Sequence, residues 1–233
     1  MKTLLKLVKN NKIFYCVICL VSIIILLWSL SRNNLVEKFS SIFDDIYINK
    51  EWGPGKIQGG SSGPGSNVIA NKKYINYLND FIKEKNIKSI VDIGCGDWQI
   101  MKNINLNNIK YYGYDASKNV INNNNNKFKK ENIKFIYSDL DLKTNYPKAD
   151  LLICKDVLQH LSYKNINKII SQFNKFKYLF IIDDKNDSGN TINKDIKDGG
   201  YRKIDIRNPP FNIKNLSEPI QLWKAKEKSL LKR

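Results

Sequence analysis

The chain has one histidine and four cysteines among 233 residues. Zinc needs a set of Cys and His ligands at characteristic spacing. The C-x-x-C pair here, Cys16 and Cys19, lies inside an apolar run and no histidine cluster accompanies it, which counts against a zinc site. Four cysteines in a chain of this length do not make a disulfide scaffold either, and Cys95 and Cys154 read as reduced thiols. A third glycine is missing as well. Gly94 and Gly96 follow an apolar stretch, but three residues on the chain has Gln99, so the dinucleotide fingerprint G-x-G-x-x-G is incomplete. Acidic residues are in the minority, 22 against 39 Lys and Arg, for a formal charge of +17. A nucleic-acid or anionic-membrane partner would explain that excess. So would composition, because Lys, Asn and Ile are all abundant, Asn122 to Asn126 form a homopolymer, and the lysines are scattered. We take composition as the simpler account.

Residues 13–30 form an apolar run with Ser22 and Ser29 as its clearly polar members. As a helix it would span about 27 Å, close to the hydrocarbon thickness of a bilayer. It is longer than a signal-peptide core and shows no recurring polar face. The expectation is therefore an uncleaved transmembrane helix behind a basic tail, residues 1–12. Lys2, Lys6, Lys9 and Lys12 precede it, which places the N-terminus on the cytosolic side and leaves the side of the remaining chain open. Residues 31–65 read as a stem and a Gly/Pro/Ser-rich loop, either a flexible linker or a lid whose backbone N–H groups contact a ligand. Trp52 is unusual for a linker.

From residue 66 the pattern becomes α/β. Residues 67–86 read as a helix capped by Ser66, with Tyr74, Ile75, Tyr77, Leu78, Phe81 and Ile82 on one face. Strands are expected at 89–93, 111–114, 134–137, 151–154 and 178–182. Helices are expected at 99–104, 119–128 and 166–173. Residues 201–206 and 220–226 read as two further strands. Short strands alternating with helices predict one domain over residues 66–233: a Rossmann-like, seven-stranded, mostly parallel sheet with helices on both faces. Such sheets bind ligands at the carboxyl ends of their strands. Those ends carry Gly94-Cys95-Gly96, Asp115, Asp139, Asp156 and Asp183.

These residues carry a resemblance. Val91-Asp92-Ile93-Gly94-Cys95-Gly96-Asp97-Trp98, with Asp115, Ser138-Asp139 and Cys154-Lys155-Asp156-Val157-Leu158-Gln159-His160 in that order, resembles the class I S-adenosylmethionine-dependent methyltransferases. With Gly63-Pro64-Gly65-Ser66 and Gly199-Gly200-Tyr201 it is similar to a set of uncharacterised bacterial methyltransferase-like proteins, over about residues 52–225 and not over the apolar N-terminus. The resemblance implies S-adenosylmethionine as cofactor. It implies that Asp92, Gly94, Cys95 and Gly96 pass close to the donor's amino-acid moiety, and that Asp115, with Ala116 beside it, takes the ribose hydroxyls. Ser138 and Asp139 would face the adenine, and Cys154 would stand beside the transferring methyl. Trp98 occupies a place where the family often has glycine, and is expected to cover the donor or shape the acceptor pocket.

Methyl transfer from a sulfonium asks mainly for alignment, and a hydroxyl or amine acceptor also asks for a base. His160 and Asp156 are the candidates, one turn apart if a helix starts between them. A divalent metal held by Asp156, Asp183, Asp184 and Asn186 is the rival arrangement, and we assign none. The acceptor is expected to be an oxygen or nitrogen of a small molecule, glycan or lipid. Nucleic acid is not favoured: no Asn/Asp-Pro-Pro-Tyr phrase follows the fourth strand, and Asn208-Pro209-Pro210-Phe211 comes too late to serve. A donor-binding but inactive interaction module is the reading from another class.

Overall fold

The computed structural model of the protein describes residues 2–53, 62–140, 144–186, 191–223 and 228–233; of these, the side chains of 2–14, 32–41 and 229 are not described. The chain divides into two units, Met1–Lys38 and Phe39–Arg233.

The larger unit is built on a six-stranded sheet in the order β3-β2-β1-β4-β5-β6. β1 (Ser89–Ile93), β2 (Lys110–Asp115), β3 (Ile133–Tyr137), β4 (Ala149–Lys155) and β5 (Phe176–Asp184) are parallel. β6 (Lys228–Lys232) closes the edge antiparallel to β5. The central strands read as continuous apolar runs because both faces of the sheet are covered. Side chains alternate between two cores. Ile90, Leu151, Ile153, Phe180 and Ile182 enter one; Val91, Ile93, Leu152, Cys154, Leu179 and Ile181 enter the other.

The first core is covered by α2 (Lys72–Glu84), which contributes Tyr74, Leu78, Phe81 and Ile82 at helical spacing. The second is covered by Ile166 and Ile169 of α4 (Tyr163–Ile170) and by Phe43 and Ile46 from the end of α1 (Lys2–Ile48). Truncating a fully buried member such as Leu78 to alanine would cost about 2–5 kcal/mol. α3 (Lys118–Phe128) has weak intrinsic propensity, since five of its residues are consecutive asparagines. Local bonds hold it. Ser117 Oγ accepts from Val120 N at 3.2 Å, Asn124 Nδ2 donates to Gly96 O at 2.7 Å, and Asn125 Nδ2 donates to Phe135 O at 3.1 Å.

Several expectations are corrected. The sheet has six strands among the described residues, not seven. Residues 201–206 alternate in sequence as a strand would, yet they form no ladder, and Asp205 is buried along with Arg202, Ile204 and Ile206. Their backbone bonds go singly to Gln159 O and Asp184 O, so the alternation records packing rather than pairing. In the expected last strand, residues 224–226 lie outside the described residues; Ile220 makes one isolated bridge to Leu230, and the actual strand is β6. α2 starts at Lys72, after a turn at Pro64–Ser66. Ser66 is not its cap, because its Oγ donates instead to Ser62 O at 3.2 Å. The helix expected at 99–104 is one 3₁₀ turn, Met101–Asn103.

Residues 15–31 lie within α1, and their apolar side chains are exposed all round: Val17, Leu20, Ile24, Leu27 and Trp28 are each more than half exposed. Among the described residues no helix is long and apolar enough to cross a membrane. The expected span begins at Ile13, so its first two side chains fall outside those described.

Candidate active site

The strand order reverses between β1 and β4, and two cavities open above that point. The smaller, about 70 Å³, is lined by Asp115, Ala116, Ser138 and Tyr146 with Phe43, Tyr47 and Trp52 above them. The larger, about 300 Å³, runs from Asp92 and the Gly94–Gly96 turn across Lys155 and Asp156 to Asp184 and Lys228. Gly94, Asp156, His160, Tyr47 and Trp52 line both.

The glycine turn is sterically required. Gly94 sits at φ 71°, and a Cβ there would come within 2.3 Å of Val157 Cγ2. Gly65 is equally constrained. A Cβ on it would lie 2.5 Å from Asp156 Oδ2, so only glycine lets the loop at 62–66 descend onto the end of β4. That loop is stitched to the turn through Ser62, whose Oγ accepts from Asp97 N at 2.9 Å and donates to Tyr47 Oη at 3.3 Å.

Asp115 ends β2, and both its oxygens accept backbone N–H bonds, from Gly96 at 3.0 Å and Ser117 at 2.9 Å. Burial nevertheless dominates and pushes its carboxyl up to about 6. Asp92 accepts from Tyr111 Oη at 2.6 Å, and burial raises it to about 7. Asp156 is the opposite case. Burial opposes its charge, but Lys155 and Lys228 each donate to one of its oxygens and hold the carboxyl far below the usual range. A carboxylate so held is a weak base, and a metal ion would have to displace two ammonium groups to reach it. Among the described residues no cluster of His, Cys, Asp or Glu is arranged to hold a metal.

His160 stands on the 3₁₀ turn Leu158–His160, not on a helix beginning at Asp156. Its Nδ1 lies 2.8 Å from Gly200 O. A carbonyl only accepts, so Nδ1 carries the proton and Nε2 presents its lone pair. Gln159 Nε2 lies 3.3 Å from that atom. The amide orientation follows from Asp184 N, which donates to Gln159 Oε1 at 2.8 Å and leaves the NH₂ facing the ring. Burial lowers the imidazole's affinity for a proton, with the Gly200 bond acting the other way. The turn itself is clamped: Arg202 donates to Leu158 O at 2.7 Å and Leu161 O at 2.8 Å, and Gly199 N donates to His160 O at 2.9 Å.

Of the residues singled out in the sequence, Asp92, Gly94, Cys95, Gly96, Asp156 and His160 line the larger cavity, and Gly94, Asp115, Ala116, Ser138, Asp156 and His160 the smaller. Asp139 and Cys154 line neither, and Cys154 is fully buried in the second core. Trp98 does not shape either cavity. It is buried at φ 61° among Tyr111, Phe128 and Phe135, with ring centroids 5.0–5.8 Å away, because the turn swings its side chain under the sheet edge. Tyr47, Trp52, Tyr74, Gln159, Tyr201 and Lys228 were not among the expected site residues. Trp52 and the phrase ending in Tyr201 gave a signal; Lys228 gave none.

Residues 91–176 match a family model described as a methyltransferase domain. That stretch of the chain carries a methyltransferase domain. No curated protein matches its sequence. Among solved structures, magnesium protoporphyrin IX methyltransferase from Synechocystis PCC 6803, with bound S-adenosylmethionine, is 14% identical at a TM-score of 0.57 and covers 83% of this chain and 95% of its own. An S-adenosylmethionine-dependent methyltransferase from Clostridium acetobutylicum ATCC 824 is 18% identical at a TM-score of 0.43, over 49% of this chain and 50% of its own. At such identities the first likeness is one of fold. The methyltransferase's own residues fit the cofactor. An acid stands at the end of β2 beside a small residue, and Tyr74 Oη, in the wall of the larger cavity, is buried with no hydrogen-bond partner among the described residues.

Proposed function

We propose that the protein is a membrane-tethered methyltransferase that moves a methyl group to an oxygen or nitrogen of a small-molecule, glycan or lipid acceptor, with His160 as the base. The position of His160 carries the proposal. It lines both cavities, and its proton is committed to Gly200 O, which leaves Nε2 as an acceptor that Gln159 Nε2 meets at 3.3 Å in the empty protein and that the acceptor's proton takes over by displacing that amide. When bound, S-adenosylmethionine supplies a methyl on sulfur that passes in line to the acceptor atom as the carbon–sulfur electrons return to sulfur. Asp115 would accept the ribose hydroxyls, and Ser138 and Ala116 would border the adenosine. Asp92, Gly94, Cys95 and Gly96 would border the amino-acid end, within reach of Tyr74 Oη. His160 Nε2 takes the proton that a hydroxyl or ammonium acceptor must lose. Asp156 does not compete for it, because two lysines hold its charge.

His160→Gln should therefore lower turnover by about a thousandfold, within the range of general-base contributions. The measurement is transfer of radiolabelled methyl into lipid, glycan and nucleic-acid fractions of a cell extract. Undiminished transfer by the variant would remove His160 from the chemistry. Label entering nucleic acid alone would replace the acceptor class, and donor binding without transfer to any fraction would favour an inactive interaction module.

The tether rests on the exposed apolar side chains within residues 15–31 and on the sequence, in which the apolar run begins at residue 13. A helix apolar on every side is unfavourable in water and needs lipid or protein around it. We place the N-terminus in the cytosol on the strength of the four preceding lysines. The tethered protein should stay with membranes through carbonate extraction; release into the supernatant would refute the tether.

A further inference from the structure

The far end of the larger cavity is not explained by the donor. Lys155 Nζ donates to Gly65 O at 2.8 Å and to Asp156, and Lys228 Nζ donates to the other oxygen of Asp156. Both lysine side chains are nearly buried, at 10% and 13% exposure. An ammonium has three N–H donors. Lys155 thus keeps one donor, and Lys228 two, with no hydrogen-bond partner among the described residues. Asp184 Oδ1 stands 3.9 Å from Lys228 Nζ, beyond hydrogen-bond reach, while Tyr201 Oη donates to Asp184 Oδ2 at 3.1 Å. Unmet donors on buried ammonium groups are costly unless an anion or water meets them.

Their place in the fold sets Lys228 apart from the donor strands, while Lys155, on the strand next to β1, stands between. The donor residues lie on β1 and β2, whereas Lys155 ends β4 and Lys228 opens β6, paired with Asp184 at the end of β5. β6 is three strands from β1, roughly 14 Å at ordinary strand spacing. Three rings line the same cavity in tilted contact: Trp52 and His160 with centroids 5.0 Å apart, and His160 and Tyr201 at 5.8 Å.

We propose that the methyl acceptor carries an anionic group, a carboxylate or a phosphate, bound by the spare N–H donors of Lys155 and Lys228, with its apolar or aromatic body against the Trp52–His160–Tyr201 wall. This rests on the methyl-transfer reading above. It places the acceptor on the β4–β6 side, next to the base, and the donor on the β1–β3 side. Two ammonium groups share one carboxylate in direct contact, and Asp184 offsets the remaining charge only at longer range.

The test begins with S-adenosylhomocysteine binding to the full-length protein by calorimetry; failure there refutes the methyl-transfer reading itself. The loaded protein is then titrated at constant ionic strength with benzoate, inorganic phosphate and, as a neutral control, benzamide. At least one anion should bind at least tenfold more tightly than benzamide, and the better of the two identifies the head group. Lys228→Met should weaken that anion at least tenfold, Lys228→Arg should restore it to within threefold, and S-adenosylhomocysteine affinity should stay within twofold. Asp184→Asn should tighten the anion, an effect opposite in sign to any loss of fold, and it decides the matter if Lys228→Met does not fold. Equal binding of benzamide and the anions would overturn the proposal. So would a matching loss of S-adenosylhomocysteine affinity in Lys228→Met, which would assign the lysines to the donor's own carboxylate.

Discussion

Two carboxylates at the same edge of one sheet are held in opposite ways. Asp115, on the donor side, is met only by backbone N–H groups, and burial raises its pKa to about 6. Asp156, on the other side, is met by two lysine side chains and is held far below the usual range. Backbone donors bring half-charges and fixed geometry, so they orient a carboxylate without fully compensating its burial. Ammonium groups bring whole charges and compensate it. The donor side therefore carries groups whose ionisation is costly in the empty protein and is repaid by a ligand. Asp156 is already satisfied and serves as scaffold, and the unspent donors are on the lysines.

The contrast can be broken by substitution. The largest effect is expected at Asp156→Asn, which strands two nearly buried ammonium groups; the protein should lose about 3 kcal/mol of stability at neutral pH, measured by urea unfolding. A loss under 1 kcal/mol would mean that the lysines do not depend on Asp156. Next comes Asp115→Ala. Removing the acceptor of two ribose hydroxyls should weaken S-adenosylhomocysteine about 100-fold by calorimetry, and unchanged affinity would sink the donor-site assignment.

The smallest effect sharpens the comparison through pH. With Asp115 near 6, lowering the pH from 7.5 to 5 protonates it and should weaken S-adenosylhomocysteine about tenfold. The stability of the empty protein should move the other way. Asp92 and Asp115 have folded pKa values of about 7 and 6, above the ordinary aspartate value of 3.8, so the native state binds more protons between pH 4 and 7. Their contribution is fully present below that window and is lost as pH rises through it. Asp156, depressed when folded, contributes stability that is lost only as pH falls below 4. Melting scans from pH 4.5 to 8 should show the ligand-free protein losing stability toward alkaline pH, and a rising profile would contradict the burial of Asp92 and Asp115.

The cavity wall on β1 and β2, where we propose that the donor binds, was legible because its parts are local. Val91-Asp92-Ile93-Gly94-Cys95-Gly96 is a strand and its turn in one phrase, and Asp115 and Ser138 follow strands whose apolar runs announce themselves. Trp98 misled because its place beside the turn says nothing about direction; a backbone at φ 61° sends the ring into the core. Residues 201–206 misled because a polar–apolar alternation in sequence does not by itself supply a ladder partner: Ile204, Asp205 and Ile206 are all buried, and the backbone bonds go to a turn and a strand end instead.

Sequence by itself thus determined the α/β class, five of the six strands, the glycine turn and the acids at the strand ends, all of which depend on near neighbours and short-period patterns. Tertiary structure alone decided the β4–β6 side of the cavity, where we propose that the acceptor binds. Gly65, Asp156 and Lys228 lie far apart in the chain and meet only because β6 folds back antiparallel against β5 and the loop at 62–66 drops onto β4. Neither contact leaves a periodic trace, and a lysine in a chain with 39 Lys and Arg residues carries no mark of the one carboxylate it will find.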